Sequence, residues 1–96
     1  MKIFEWDYPP SGMCPVQAEG HFLGHYFYFR SRGATATIEF SKTQKDWEEN
    51  KIVRIYKLKS YPPFEAGYVP RKEATRLVYK GLFLFAIRWP STKRWY

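Results

Sequence analysis

Between Val16 and Phe40 polar and apolar residues alternate around two short turns, and the alternation admits a single strand register. With Leu23-Gly24 and Gly33-Ala34 as two-residue hairpin turns, Phe22 falls opposite His25, Gly20 opposite Phe27 and Ala18 opposite Phe29. The second turn sets Phe29 opposite Ile38 and Phe27 opposite Phe40. One face of this meander carries Val16, Ala18, Phe22, Phe27, Phe29, Ala36, Ile38 and Phe40. The other carries Gln17, Glu19, His21, Tyr26, Tyr28, Arg30, Thr35, Thr37 and Glu39. A slip of one residue would move every apolar side chain to the wrong side. The segment therefore predicts three antiparallel strands with one buried and one solvated face.

The flanking segments extend the sheet. Lys2 to Tyr8 alternates weakly and predicts an edge strand or arm within residues 1–12. Pro9-Pro10-Ser11-Gly12 is expected to end it, because two prolines remove two ladder donors. Ser41 to Asn50 is polar, carries Trp47 among charges, and reads as a loop with one helical turn. Lys51 to Lys59 interleaves Ile52, Val53, Ile55, Tyr56 and Leu58 with basic residues, and completes a meander over residues 13–63. Tyr61-Pro62-Pro63 stops that strand, and Phe64 to Val69 is a connection.

From Pro70 the period becomes helical. Pro70 suits the first helical position, with Val69 in the N-cap place, and Ala74, Leu77, Val78, Gly81, Leu82 and Phe85 form one stripe. Gly81 lies on that stripe, where alanine would favour the helix by roughly 1 kcal/mol, so a close approach of helix and sheet is expected there. Pro90 ends the helix near Arg88 or Trp89. Leu82 to Ile87 is apolar nearly all round, so either the sheet wraps that end or its surplus face makes a homodimer. The tail, Ser91 to Tyr96, is basic and aromatic and is expected to fray unless docked. The whole predicts an α+β domain: a three- to five-stranded antiparallel meander with one C-terminal helix, residues 70–89, packed on its apolar face.

Ninety-six residues allow one modest core, and the 21% aromatic content raises the apolar area each residue can bury. A single cysteine, Cys14, excludes an internal disulfide and fits a reducing cytosol. Cys14 reads as a small half-buried residue at a strand start rather than as a reactive thiol. Met1-Lys2-Ile3-Phe4 runs straight into Glu5 and Asp7, unlike a signal sequence. The longest apolar run, Gly81 to Ile87, is far short of the roughly 20 residues of a membrane span. A soluble, cytoplasmic protein without a membrane partner is expected.

Charge is divided unevenly along the chain. Residues 1–50 hold five basic and seven acidic side chains, a net of −2. Residues 51–96 hold eleven basic residues against Glu65 and Glu73, a net of +9, and the two halves make the chain's +7. Such a difference predicts an anionic partner for the second half, either nucleic acid or an acidic or phosphate-lined protein surface. The plainer alternative is a solvated basic surface that keeps the protein soluble.

Motifs for chemistry are missing. His21 and His25 flank a hairpin tip on opposite faces, which argues against a shared metal. Glu19 and Glu39 both lie opposite Tyr28, with Arg30 near, and read as ordinary cross-strand pairing rather than as an acid–base pair. No Ser/His/Asp order, glycine-rich phosphate loop, HExxH or CxxC occurs, so neither an enzyme nor a cofactor is expected. Two surfaces remain as partner-binding candidates. The first is basic: Arg54 and Lys57 on the fourth strand of the meander, with Arg71, Lys72, Arg76 and Lys80 on the helix. The second is the polar sheet face, where Tyr26, Tyr28 and Arg30 are residue types that stack bases or dominate protein interfaces, although Glu19 and Glu39 would repel phosphate.

The run Pro15-Val16-Gln17-Ala18-Glu19-Gly20, then Gly24, then Phe27-Tyr28-Phe29-Arg30-Ser31-Arg32-Gly33 resembles a set of small orphan proteins of phages, prophages and their bacterial hosts. Glu65-Ala66-Gly67-Tyr68-Val69-Pro70 is similar to the second signature of that family, and the resemblance covers about 60 residues. The chain departs from it at Leu23, where Asp or Asn is expected before Gly24, and at the apolar end of the helix. The resemblance implies a mobile-element setting. In that setting the expected role is a non-enzymatic protein that binds a host protein or ribonucleoprotein complex and inhibits it, as anti-CRISPR proteins do. A small basic nucleic-acid-binding module is the alternative.

Overall fold

The computed structural model describes residues 3–63 and 65–90. Five antiparallel strands lie in sequence order: β1 (Phe4–Ser11), β2 (Val16–Phe22), β3 (His25–Arg32), β4 (Thr35–Ser41) and β5 (Arg54–Ser60). A short helix, α1 (Gln44–Glu48), connects β4 to β5, and α2 (Arg71–Ala86) crosses one face of the sheet. The central register is the one the alternation requires. Ala18 pairs with Phe29, Gly20 with Phe27, Phe29 with Ile38 and Phe27 with Phe40.

The buried face holds Val16, Ala18, Phe27, Phe29, Ala36, Ile38 and Phe40, joined by Tyr56 and Leu58 of β5. Ala74, Leu77, Val78 and Leu82 of α2 close over them. Gly81 makes that closure possible, since a Cβ there would stand 2.6 Å from Cγ2 of Ile38. Phe85 stacks on Phe40 at 4.1 Å between ring centroids. Gly20 plays the matching part at the other side of the sheet. A Cβ at Gly20 would lie 2.3 Å from the Glu5 carbonyl and 2.7 Å from the Phe27 ring, so only glycine lets β1 close on β2.

Several boundaries differ from the sequence expectation for identifiable reasons. Pro9 and Pro10 do not end β1, which runs on to Ser11 with register shifts on either side of Tyr8. An edge strand tolerates proline because one row of its donors has no ladder partner. β5 begins at Arg54 rather than Lys51: Lys51 N–H donates to the Asp46 carbonyl and Val53 N–H to Phe40, so these residues close the loop after α1. Pro70 is the N-cap of α2, one place before the first helical residue, with extended backbone (φ −60°, ψ 149°). The helix stops at Ala86 with Arg88 N–H donating to the Phe85 carbonyl and Trp89 N–H to Leu84. Cys14 is exposed rather than half-buried, because it sits in the turn before β2, where its N–H donates to the Gly67 carbonyl. That bond, with Ser31 Oγ donating to the Ala66 carbonyl at 2.6 Å, holds the 3-10 turn Ala66–Tyr68 against the end of the sheet. The tail expected to fray, Ser91 to Tyr96, lies outside the described residues, as does Phe64. No helix among the described residues is long and apolar enough to cross a membrane.

Candidate functional site

A meander in sequence order converts the unequal halves of the chain into unequal regions of space. Strands β1 to β4 come from the acidic half, and β5 with α2 from the basic half. Three contacts fix how α2 lies. The Tyr61 hydroxyl donates to the Glu73 carboxylate, Lys80 Nζ donates to the Leu58 carbonyl at 3.0 Å, and the Tyr56 hydroxyl donates to the Trp89 carbonyl at 2.8 Å. Residues later in α2 meet residues earlier in β5, so the helix runs antiparallel to that edge strand.

The six basic candidates are placed unequally. Arg71, Lys72 and Arg76 are exposed on the first two turns of α2, and Arg54 and Lys57 are exposed on β5. Among the described residues, Lys57, Arg71, Lys72 and Arg76 form no ion pair. Lys59 differs, lying 3.5 Å from the Glu73 carboxylate. The Tyr61 hydrogen bond first, then Lys59 and Arg76, hold the Glu73 carboxyl below its ordinary pKa against the opposing effect of burial. That carboxylate neutralises the middle of the region and joins the strand to the helix. Lys80 is exposed as well, and its ammonium donates to the Leu58 carbonyl, which ties α2 to β5.

Helical geometry puts Lys72, Arg76, Tyr79, Phe83 and Ile87 on the outward face of α2. The face is basic in its first half and apolar in its second. Tyr79, Phe83 and Ile87 are 50%, 62% and 50% exposed. The Tyr79 ring still meets Phe4 and Trp6 of β1, at 6.0 and 6.4 Å between centroids, while Phe83 and Ile87 are the part of the apolar end that the sheet leaves open.

The polar sheet face differs most from its expected form. Tyr26 is wholly buried, so it does not project for binding. Trp47, carried by α1, lies over it at 5.8 Å between ring centroids and over Tyr28 at 4.6 Å. Its indole Nε1 donates to Glu39 at 2.7 Å, and the Tyr26 hydroxyl donates to Glu19 at 2.5 Å. These bonds replace the expected grouping of both glutamates around Arg30. Burial, then the bond to Glu19, raises the Tyr26 pKa far above its ordinary value. Burial also raises that of Tyr28, against the lowering effect of Arg30. Tyr28 is half-buried and donates to Gln17 at 3.1 Å. Arg30 is half-buried too, with its Nε enclosed and without an acceptor. Trp47 is the residue that sequence reasoning passed over, and its one signal was a lone indole among charges.

Among the described residues no group of three or more His, Cys, Asp or Glu side chains is placed to hold a metal ion. His21 pairs instead with Asp7 at 3.1 Å, while His25 meets the Phe85 ring edge-on. No protein-family model, curated protein or solved structure matches the chain.

Proposed function

We propose that the protein is a non-enzymatic binding protein of the phage inhibitor type, docking β5 and the outward face of α2 on an acidic or phosphate-lined surface of a host nucleic-acid-handling or defence complex. The observation that carries this reading is the set of exposed cations on adjacent rigid elements, Lys57 on β5 and Arg71, Lys72 and Arg76 on α2. Among the described residues these form no ion pair, although Arg76 lies near enough to Glu73 to stabilise its charge. Cations held on a strand and a helix meet an anionic surface with little loss of backbone freedom, and they steer association from a distance. The tyrosines of the sheet face do not form a base-stacking platform, because Tyr26 is buried and Trp47 covers Tyr28. The exposed Tyr79, Phe83 and Ile87 row lies beside the cations and supplies the apolar part of the same contact, or of a homodimer.

The test is a nuclease-treated pull-down from bacterial lysate, comparing the natural chain with the triple variant Arg71→Glu, Lys72→Glu, Arg76→Glu. The natural chain is expected to retain a defined complex that the triple variant loses. Circular dichroism is expected to show both folded, since acidic residues at 71 and 72, in the first turn, are favourable by on the order of 0.3–1 kcal/mol, which offsets the few tenths lost when Glu replaces Arg76 beside Glu73. Capture of the same complex by the triple variant would overturn the reading. Steeply salt-dependent binding to random DNA, with nothing retained after nuclease, would replace it with a nucleic-acid-binding module.

A further inference from the structure

A cavity of about 410 Å³ opens where the β2–β3 turn, the start of β5 and the C-terminal end of α2 meet. It lies at the far end of α2 from Arg71 and Lys72. Its volume falls within the roughly 300–1,000 Å³ of small-molecule sites. Its polar lining is His25, Arg54 and Arg88, and among the described residues no carboxylate lines it. The apolar wall is the Phe85 ring, with Leu23 at the turn.

The backbone around this cavity is unusual. Four described residues other than glycine have φ in the left-handed region, and two of them, Leu23 (φ 50°) and Arg88 (φ 57°), line it. In a two-residue hairpin turn of this kind Asn, Asp or Gly is the easier occupant before Gly24. Arg88 follows the C-cap of α2, in a terminal pattern where glycine is the usual residue. Burial does not account for Leu23, which is 46% exposed. Both strained positions thus carry side chains that the cavity presents, and strain of this kind gathers at functional sites.

The lining is also pre-positioned. Arg54 Nη1 donates to the Val53 carbonyl at 3.0 Å, and its guanidinium also interacts with the Tyr56 hydroxyl, so the fork is anchored on the cavity wall with five N–H donors to share among its partners. His25 Nδ1 lies 3.1 Å from the Leu23 carbonyl and donates to it, leaving Nε2 for a ligand. Phe85 has one ring face covered by Phe40 and is met edge-on by His25 at 5.0 Å, so its remaining surface is held in place.

We propose that this cavity binds a nucleotide, its base lying against Phe85 and Leu23 and its phosphate held by Arg54 and Arg88. Guanidinium forks match phosphate oxygens bidentately, and an aromatic wall accepts the flat face of any base. Val53 and Ala86 extend the apolar wall and supply no base-specific donor, so little preference among bases is expected. The nucleotide is either free or the end residue of a strand, since the recognising chemistry is the same.

The proposal is tested by isothermal titration of the whole protein with AMP, with inorganic phosphate and with a 5′-phosphorylated oligonucleotide. AMP is expected to bind, and Arg88→Gly, which suits the local φ, is expected to weaken it tenfold or more, as is Arg54→Gln. Leu23→Asn is expected to raise the melting temperature by a few degrees while lowering AMP affinity, an opposition that a purely structural leucine would not produce. No binding of any probe at millimolar concentration would overturn the proposal, as would AMP affinity unchanged in Arg88→Gly. Phosphate binding as tightly as AMP would overturn the base-stacking part. Tighter binding of the oligonucleotide than of AMP would support the site and assign it a strand end; the reverse would support it and assign a free nucleotide. The docking reading above fails or stands on the α2 triple variant, whose three residues do not line this cavity.

Discussion

The two faces of the sheet bury aromatic rings by different means. The inner face is covered by a sixteen-residue helix whose buried side chains are all apolar or glycine. The outer face is covered over Tyr26 and Tyr28 by one side chain, Trp47, from a five-residue helix with no buried residue of its own. On the inner side closure depends on shape, as at Gly81 against Ile38. On the outer side it depends on hydrogen bonds from Tyr26 to Glu19 and from Trp47 to Glu39. The first kind of burial should fail when volume changes, and the second when a polar partner or the proton balance changes.

The largest expected effect is at the centre of the inner face. Phe29 is fully buried, and Phe29→Ala should cost about 3–5 kcal/mol in urea denaturation, the usual penalty for an aromatic core cavity. A loss under about 1 kcal/mol would mean that the inner face tolerates missing volume as a loosely packed surface does, and the comparison would fail. Gly81→Leu tests the same face from the opposite direction. The built Cβ meets two further atoms of Ile38 at 3.2 and 3.4 Å, so a larger side chain must displace α2, at about 1–3 kcal/mol. A melting temperature equal to or above that of the natural chain would show that the helix lifts freely.

On the outer face, Trp47→Ala should cost less than Phe29→Ala, about 2 kcal/mol, because the indole is only half-buried. The variant should also uncover Tyr26 and Tyr28, read as increased quenching of tyrosine fluorescence by iodide. Equal quenching in both proteins would mean that Trp47 does not serve as their cover.

These faces were unequally legible in the sequence. The inner one was legible from Val16 to Phe40 because burial on one side imposes a period of two, and every apolar residue there obeys it. Tyr26 was not, because its parity assigns it to the polar face and its cover comes from a residue beyond the next strand. Pattern within a strand carries no information about a distant lid. The same limit explains β1: its prolines read as a stop because nothing local says that the strand lies at an edge. The basic surface was legible as composition, and the sequential strand order preserved that asymmetry in space. Its internal division was not, since the capture of Lys80 by the Leu58 carbonyl depends on how α2 lies on β5. The cavity at Leu23, Arg54 and Arg88 joins three segments remote in sequence, and no spacing rule connects them.

The smallest expected effect concerns protons on the outer face. Burial and the bond to Glu19 raise the pKa of the Tyr26 hydroxyl well above its ordinary 10.0. The folded state therefore keeps a proton that the unfolded chain releases near pH 10. This contribution is fully present below that pH and is lost as pH rises above it toward the folded-state value. Tyr26→Phe should cost about 1 kcal/mol near neutrality, where the hydrogen bond is intact. The gap between the variant and the natural chain should narrow when urea denaturation is repeated from about pH 8 to about pH 11, because the variant has no such proton to lose. Tyr56 and Tyr61 have raised values as well, so the variant should retain part of the alkaline loss rather than abolish it. A gap that stays constant over this range would show that the bond from Tyr26 to Glu19 does not help to hold the outer face closed.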